Sequence, residues 1–377
     1  MIYKTENPAI LMLEDGSYYE GIGIGAMKKI IGELTFSTIP GSGYIESLTD
    51  SAYMDEILLF TYPSIGNYGV PQKERDNYGI LKHFESESIK VKGVVMNEYC
   101  KNPSHYESIR TLEEWLLEEN IPAIQWIDTR LLTQKLVEET QAFALLQVLD
   151  HQKQPDLKKL RLELQNFSAQ ADKFPVSKVS TDNIQKYSPT DPIGKVVILD
   201  LGTKNNIIRT LISKELEVIK VPYLYNFDKI MELNPDGVIL PNGPGDPKIL
   251  NAPINLTREL IDHNIPTMGI GLGNMIVGLA ADMEVYKMSA DHRGGRTTVE
   301  SSTNHCYITF QNHGYCLNYK KSKNFNELYF DKDDKSNEGL IHKSKPIFSV
   351  AFNPEGAPGA LDIKEKTFNQ FINFMEV

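Results

Sequence analysis

The stretch PTMGIGLGNMIVGLA, residues 266 to 280, predicts a buried strand, a tight turn and the start of an apolar helix. A strand that turns sharply into a helix presents the residue between them at the helix N-terminus. Free N–H groups and the helix dipole there stabilise an anion or lower the pKa of a thiol. In this chain that residue is Gly271. A position suited to a nucleophile therefore holds a residue that has no side chain.

A nucleotide-binding loop is an alternative interpretation of the same glycines. The fingerprint G-x-G-x-x-G starting at Gly269 requires a third glycine at position 274, where this chain has Asn274. The fingerprint also normally follows the first strand of its domain, whereas this strand is roughly the fourth. A tight turn with close strand–helix packing explains the glycines better.

Strands and helices alternate on the N-terminal side of this turn. Apolar runs such as KVVILDLG and DGVILPNG alternate with helical segments such as KNNIIRTLISKE and INLTRELIDHN. Repeated βα units predict a doubly wound parallel sheet whose loops meet at the C-terminal ends of the strands, where ligands bind. We therefore expect an α/β domain over residues 194–377, with any active site at that edge of the sheet.

Residues 1–150 follow a different pattern. Short apolar runs such as AILMLED and EILLFTY alternate with loops rich in Gly, Tyr and Ser, and TLEEWLLEEN predicts a helix. We therefore expect a separate α+β domain in this half of the chain. Residues 151–193 are polar, with prolines near their end, and predict a connecting segment.

Composition and charge argue against several classes of protein. Hydrophobic residues make up 41% and charged residues 24% of the 377 residues, which is typical of a globular protein large enough for two cores. The formal net charge of -11 argues against a nucleic-acid partner, because phosphate contacts need clustered Lys and Arg. The N-terminal residues do not resemble a signal peptide, and no apolar run approaches the ~20 residues of a membrane span. We expect a cytoplasmic protein without a membrane partner.

The three cysteines, Cys100, Cys306 and Cys316, predict free thiols. Their number is odd, and their spacing fits neither a disulfide framework nor a zinc site. We therefore expect no bound metal in this chain. Cys316 predicts a buried structural thiol rather than a second nucleophile.

Four loops in the second half of the chain carry a family resemblance. They are LPNGPGDP (240–247), GIGLGNM (269–275), QNHGY (311–315) and FNPEGAPG (352–359). In order and spacing they resemble the loops of the small, glutamine-amidotransferase subunit of carbamoyl phosphate synthetase. In the first half, LEDGSYYEG and SLTDSAYMDEILLFTYPSIGNYGV resemble that subunit's own domain. The resemblance covers nearly the whole chain and implies a small-subunit N-terminal domain followed by a class I glutamine amidotransferase-like domain.

In that family a cysteine at the turn attacks the side-chain amide of glutamine, a late histidine acts as its base, and a glutamate two residues further on orients the histidine. The resemblance assigns these three positions to Gly271, Asn353 and Glu355. Glycine has no atom that attacks a carbonyl, and an Asn carboxamide has no usable basicity near neutral pH. The resemblance therefore implies that the nucleophile and the base are lost and that the orienting acid Glu355 is retained.

The glutamine pocket implied by the resemblance is also changed in part. Ala52 stands where the family has a serine that touches glutamine, and Met275 stands where it has a glutamine. Arg296 departs from the family pattern as well. The positions that still match residues contacting glutamine in the family are Gly243, Gly245, Leu272, Asn312, Gly314 and Tyr315.

Three polar features have a structural interpretation beside a functional one. His313, within QNHGY, predicts a hydrogen-bonded loop histidine rather than a substitute base. His292, beside Arg293, predicts a side chain in a solvated loop rather than an anion site. The acidic run DKDDK, residues 331–335, predicts a solvated turn.

Three functions stay open at this point. The first is a small subunit that does not hydrolyse glutamine but pairs with the family's large subunit. That subunit binds ATP and Mg and makes carbamoyl phosphate for arginine or pyrimidine biosynthesis, so this chain needs no cofactor of its own. The second is a pseudoenzyme that binds an amide or amino acid as a regulatory module. The third is an ordinary glutamine-hydrolysing subunit.

Overall fold

The computed structural model of the protein describes residues 6–138, 143–151, 153–168 and 175–377. The chain divides into two compact units, each with its own core. The first unit contains the described residues within 1–74 and 81–172, and the second contains those within 75–80 and 173–377. Among the described residues, the helices are all too short or too polar to cross a membrane.

The first unit contains nine strands and four helices within its described residues. They are β1 (Asn7–Leu13), β2 (Tyr18–Gly25), β3 (Lys29–Ser37), α1 (Tyr44–Thr49), β4 (Ile57–Phe60), β5 (Ser64–Ile65), β6 (Gly93–Val95), β7 (Glu98–Tyr99), α2 (Leu112–Glu118), β8 (Pro122–Gln125), α3 (Thr129–Glu138), β9 (Phe143–Val148) and α4 (Leu157–Ser168). Seven of the strands form a closed sheet in the order β1-β2-β8-β6-β4-β3-β9. This arrangement confirms the α+β class expected for the first half of the chain.

Local sequence explains where α2 begins. The Thr111 hydroxyl accepts a hydrogen bond from the Glu114 backbone N–H at 3.2 Å, and the Glu114 carboxylate accepts one from the Thr111 N–H at 2.7 Å. This capping box satisfies two N–H groups that a helix otherwise leaves free. The next turn buries Leu112, Trp115 and Leu116 against the sheet. In the predicted connecting segment, α4 packs on β1 and β9 through Leu160 and Leu164.

The second unit contains ten strands and six helices among its described residues. They are α5 (Val176–Val179), β10 (Gln185–Tyr187), β11 (Gly194–Asp200), α6 (Asn205–Ser213), β12 (Leu216–Pro222), α7 (Phe227–Met231), β13 (Gly237–Leu240), α8 (Asn251–Asp262), β14 (Thr267–Ile270), α9 (Leu272–Ala280), β15 (Glu284–Glu300), β16 (Cys306–Asn318), β17 (Phe325–Asp331), β18 (Asn337–His342), β19 (Ile347–Val350) and α10 (Lys364–Met375). The sheet order is β10-β12-β11-β13-β14-β19-β18-β17-β15-β16.

The parallel part of this sheet is covered on both faces. Strands β12, β11, β13, β14 and β19 pair in parallel. Along β11, Val196 and Ile198 pack with α6 and α10, whereas Val197 and Leu199 pack with α8 and α9. Because side chains alternate across a strand, helices on both faces require a continuous apolar run. The doubly wound sheet predicted from KVVILDLG is confirmed.

The antiparallel part of the sheet was not predicted. Strands β15 and β16 form a long hairpin with an irregular register between Lys287 and His292. Several of its buried side chains are polar and bind one another, among them Thr298, Gln311 and His313. The alternation of apolar and polar residues that identifies a half-buried strand is therefore weak in this part of the sequence.

Candidate active site

Gly271 forms a sharp turn between β14 and α9. Its backbone has φ 56° and ψ -109°, the mirror image of an extended conformation. Its N–H donates to the Val350 carbonyl at 2.9 Å, and its carbonyl accepts from the Asn274 N–H at 3.0 Å, so the turn is bonded on both sides. Glycine adopts this conformation readily, whereas a residue with a Cβ is strained there.

We expect Gly271→Ala to destabilise the protein by about 1–3 kcal/mol, because the new Cβ adds backbone strain. That Cβ would also lie 3.1 Å from the Cβ of Asn242, which is a tight contact. Urea unfolding measures the change in the free energy of unfolding. The matched control is Gly295→Ala, since a Cβ there meets no atom within 4 Å. We expect the control to change stability by less than about 0.5 kcal/mol. Equal losses of unfolding free energy in both variants would contradict the explanation by backbone strain at Gly271.

The loop after β13 lies against this turn. Gly243 packs so closely on the Leu201 carbonyl oxygen that any Cβ would collide with it, and the same Cβ would lie 3.0 Å from the Leu272 side chain. Asn242 is buried, and neither its Oδ1 nor its Nδ2 has a hydrogen-bond partner within the described ranges. Gly245 has a left-handed φ of 90°. The polar groups near the turn therefore include Asn242, which the sequence analysis missed.

Asn353 and Glu355 follow β19. The Asn353 backbone N–H donates to the Phe310 carbonyl at 2.9 Å, while its buried side-chain Nδ2 has no partner among the residues that the structure describes. The Glu355 carboxylate is fully buried and accepts a hydrogen bond from Lys204 Nζ at 2.7 Å. The Lys204 ammonium is fully buried as well and also donates to the Gly356 carbonyl at 3.2 Å. Lys204 is a second residue of the site that the sequence analysis missed.

The loop that carries Lys204 is fixed by Asp200 at the end of β11. One oxygen of the Asp200 carboxylate accepts hydrogen bonds from the Gly202 N–H at 3.2 Å, the Thr203 N–H at 2.9 Å and the Thr203 hydroxyl at 2.8 Å. Charge-assisted hydrogen bonds of this kind are stronger than neutral ones. Asp200 therefore holds Lys204 at the C-terminal edge of the parallel sheet, where Glu355 meets it.

Two of the predicted pocket residues lie in the apolar core. Leu272 and Met275, on the first turns of α9, belong to the same buried cluster as Leu201, Leu240 and Ala351. Met275 therefore contributes its side chain to packing between the helix and the sheet. Ala52 lies in the first unit, in a short 3-10 turn where its N–H donates to the Asp50 carboxylate at 2.9 Å.

Strand β16 brings together Asn312, Gly314 and Tyr315. The Asn312 side-chain oxygen accepts a hydrogen bond from the Arg293 guanidinium, and its buried Nδ2 is unpartnered in the described part of the chain. A Cβ at Gly314 would collide with the Asp291 carboxylate, so glycine is needed for this approach. Burial alone would raise the pKa of Asp291, but Arg293, 2.7 Å away, and Lys287 hold it below its ordinary value.

Two expectations about neighbouring residues are wrong. His292 is buried on β15 rather than solvated in a loop, because Glu338 and Asp334 bind its two ring nitrogens. Asp331, the first residue of the predicted solvated turn, is buried because Arg296 binds it through two hydrogen bonds of 2.7 and 2.9 Å. Arg296 is therefore engaged with Asp331, and its presence does not indicate a ligand.

Two of the cysteines, Cys306 and Cys316, lie on β16, and Cys100 follows β7 in the first unit. All three are free thiols, as predicted. Cys316 is fully buried on β16, and its Sγ contacts the carbonyl oxygens of Leu317 and Asn337 at 3.8 and 3.6 Å. Burial raises the pKa of the Cys316 thiol to about 11. Since the thiolate is the nucleophilic form, this environment favours an inert structural thiol.

Comparison with known proteins gives matches in both units. Residues 11–146 match the family model described as carbamoyl-phosphate synthase small chain, CPSase domain, and residues 197–374 match glutamine amidotransferase class-I. The carbamoyl phosphate synthase small chain of Methanocaldococcus jannaschii is 39% identical over 356 residues, covering 94% of this chain and 95% of that protein. The small chain of Saccharolobus solfataricus is 36% identical over 367 residues, covering 95% and 96%.

A longer human protein matches the same region. The mitochondrial carbamoyl-phosphate synthase (ammonia) of Homo sapiens is 37% identical over 376 residues, which cover 98% of this chain and 24% of that protein. The two small-chain relatives match this chain over nearly their whole length and above 30% identity. This chain belongs to the carbamoyl phosphate synthase small-chain family.

Proposed function

We propose that this protein is a small subunit that does not hydrolyse glutamine and supports the synthesis of carbamoyl phosphate from free ammonia by a large subunit. The observation that carries the proposal is Gly271, which stands at the turn between β14 and α9 where the family resemblance places the nucleophile. A thioester mechanism requires an attacking side chain at this position. Glycine supplies none.

The base position supports the same conclusion. Asn353 stands where the resemblance places the histidine, and a carboxamide neither takes nor returns a proton near neutral pH. The carboxylate of Glu355 is engaged by Lys204 rather than by an imidazole. Cys316 is buried with a raised pKa, which makes it a poor replacement nucleophile.

The proposal of a large subunit as partner rests on the family relationship and not on a binding site identified on this chain. The curated relatives are small chains, and the human relative is a longer protein whose name specifies ammonia. A large subunit that binds ATP, Mg and bicarbonate would carry out every chemical step, while this chain would contribute its N-terminal domain to the assembly. The experiment that tests the proposal compares glutamine with ammonium as nitrogen donor for the assembled pair and follows the release of glutamate.

A second candidate function is the binding of a small amide or amino acid. The observation that favours it is a set of buried carboxamide atoms without a hydrogen-bond partner among the described residues: Oδ1 and Nδ2 of Asn242, and Nδ2 of Asn312 and of Asn353. An unsatisfied buried polar group costs about 1–3 kcal/mol, so a ligand or water is expected to bind it. A carboxamide both donates and accepts hydrogen bonds, and another amide complements it.

We expect a bound amide to stabilise the fold. A ligand at 100 times its dissociation constant adds about 2.7 kcal/mol, which raises the unfolding midpoint by roughly 5–10 °C. Thermal unfolding with glutamine, asparagine and other amino acids measures the shift. Asn242→Ala should reduce it, whereas the exposed-site variant Gly295→Ala should not. A flat response from the wild-type protein to all of these compounds would contradict this second function.

A further inference from the structure

We propose that His292, His313 and Glu338 form a buried site for a divalent transition-metal ion, with Zn²⁺ the first candidate. The three residues lie on β15, β16 and β18, so the site joins three strands of the antiparallel part of the sheet. The spacing of the cysteines predicted no metal, but this site uses none of them. The inference is independent of the nitrogen donor that the assembled pair uses.

The donor atoms already lie at metal-binding separations. His292 Nδ1 is 2.9 Å from one oxygen of Glu338, and His313 Nε2 is 3.4 Å from the other. One ligand atom from each residue lies within 4.8 Å of the other two. A tetrahedral Zn²⁺ at about 2.0–2.1 Å from its ligands holds them roughly 3.3 Å apart. Small side-chain adjustments are therefore enough to admit the ion.

The opposite nitrogen of each imidazole has an acceptor. His292 Nε2 lies 2.7 Å from the Asp334 carboxylate, and His313 Nδ1 lies 2.9 Å from the Tyr315 carbonyl oxygen. Histidines that bind metals usually donate their other ring N–H to a carboxylate or a backbone carbonyl, which orients the ring. Both histidines follow this pattern, and it leaves His292 Nδ1 and His313 Nε2 as the nitrogens that face Glu338.

The charges of the site balance with a divalent ion. The Glu338 side chain is fully buried, so its charge needs a cation beside it, which is either a protonated imidazole or a bound metal ion. One divalent ion with two neutral imidazoles balances the charges of Glu338 and Asp334. The nearby guanidinium of Arg296 is bound in a two-bond ion pair to Asp331 and also lies 3.8 Å from the Asp334 carboxylate. That pair also removes Asp331 from the set of available ligands.

Gln311 offers a fourth ligand beside His313. Its side-chain oxygen is 3.1 Å from His313 Nε2, and its Nε2 donates to the hydroxyls of Thr298 and Thr309 at 3.2 and 3.0 Å. These two donations direct the amide oxygen toward the imidazole. A closed site with four protein ligands is structural rather than catalytic. It would hold in place the strand that carries Asn312 and Tyr315.

The first measurement is the metal content of the full chain produced in zinc-supplemented medium, determined by plasma mass spectrometry. We expect one zinc per chain and a higher thermal midpoint with zinc than after chelation. Titration of the metal-free protein with Co²⁺ should give the visible absorption of a tetrahedral complex at one equivalent. The near-ultraviolet band of a cobalt–thiolate bond should be absent, because no cysteine is a ligand. Less than stoichiometric zinc and no tetrahedral Co²⁺ spectrum would overturn the proposal.

Three variants test the assignment of the ligands. Glu338→Gln should weaken Co²⁺ binding by at least about 100-fold, and Asp334→Asn, which alters only an orienting partner, by about 10–100-fold. Asp334 has 44% of its side chain exposed, so its variant tests the site even where Glu338→Gln does not fold. His305→Asn, at an exposed histidine, is the control and should bind as tightly as the wild type. An unchanged Co²⁺ affinity in Asp334→Asn would show that the metal binds elsewhere. So would an equal loss of Co²⁺ affinity in Asp334→Asn and in the control His305→Asn.

Discussion

We expect carbamoyl phosphate to form from ammonium but not from glutamine, with no release of glutamate, when this protein is mixed with a carbamoyl phosphate synthase large subunit. The expected difference from a glutamine-hydrolysing subunit is large. Removing the nucleophile or the base of a catalytic pair lowers kcat by on the order of a million-fold, about 8 kcal/mol of transition-state stabilisation. The family resemblance assigns these two positions to Gly271 and Asn353.

The assay separates the candidate functions. Carbamoyl phosphate and glutamate are measured with each nitrogen donor, and co-purification with the large subunit is checked in parallel. Steady glutamate release at the usual enzyme turnover of roughly 1–10³ per second would contradict the proposal. Cys316→Ser would then be the first variant to test, with Cys306→Ser as its control, because Cys306 is exposed.

A variant with a restored catalytic pair tests in the same assay how much of the glutamine pocket is retained. Gly271→Cys with Asn353→His supplies a thiol and an imidazole, but we expect weak glutamate release or none from this pair alone. Met275 stands where the family resemblance places a glutamine, and it is packed in the apolar cluster between α9 and the sheet. We expect recovery to need Ala52→Ser and Met275→Gln as well. Full activity from the double variant would show that the pocket has been retained.

The second large effect concerns stability. We expect Lys204→Met to lower the free energy of unfolding by about 3–5 kcal/mol, because it removes the Lys204 ammonium from the buried Glu355 carboxylate. Both side chains are fully buried, and Nζ lies 2.7 Å from Oε1. Burial raises the pKa of an unpaired carboxyl group, so the protonated form is the less costly one. The loss of unfolding free energy should therefore shrink as the pH falls toward the ordinary pKa of glutamate. Urea unfolding at several pH values measures this loss.

Two further variants isolate the effect of burial. Lys214 and Glu365 form an ion pair with the same 2.7 Å separation, but 73% of the Glu365 side chain is exposed. Lys214→Met should cost less than about 1 kcal/mol, since exposed pairs contribute little. The double variant Lys204→Met with Glu355→Gln should lose less free energy of unfolding than Lys204→Met alone, because the carboxylate charge of Glu355 is removed as well. Similar losses for Lys204→Met and Lys214→Met would contradict the explanation by burial.

Local sequence patterns are enough to predict the framework of this protein. The alternation of apolar runs with helical segments predicted the doubly wound sheet, and PTMGIGLGNMIVGLA predicted the turn at Gly271 between β14 and α9. These features depend on residues that are neighbours in the chain, so hydrophobic periodicity and glycine spacing reveal them directly. The family resemblance rested on loops of the same local kind.

Which distant residues meet depends on the order of the strands in the sheet. Lys204 and Glu355 are 151 positions apart and form their ion pair because β11 and β19 end at the same edge of the sheet. His292 and Glu338 are 46 positions apart, and they meet because the strand order places β15 and β18 on either side of β17. Neither pairing leaves a periodic signal in the sequence. Burial of these charges and of Asp331 follows from strand order, which local patterns do not determine.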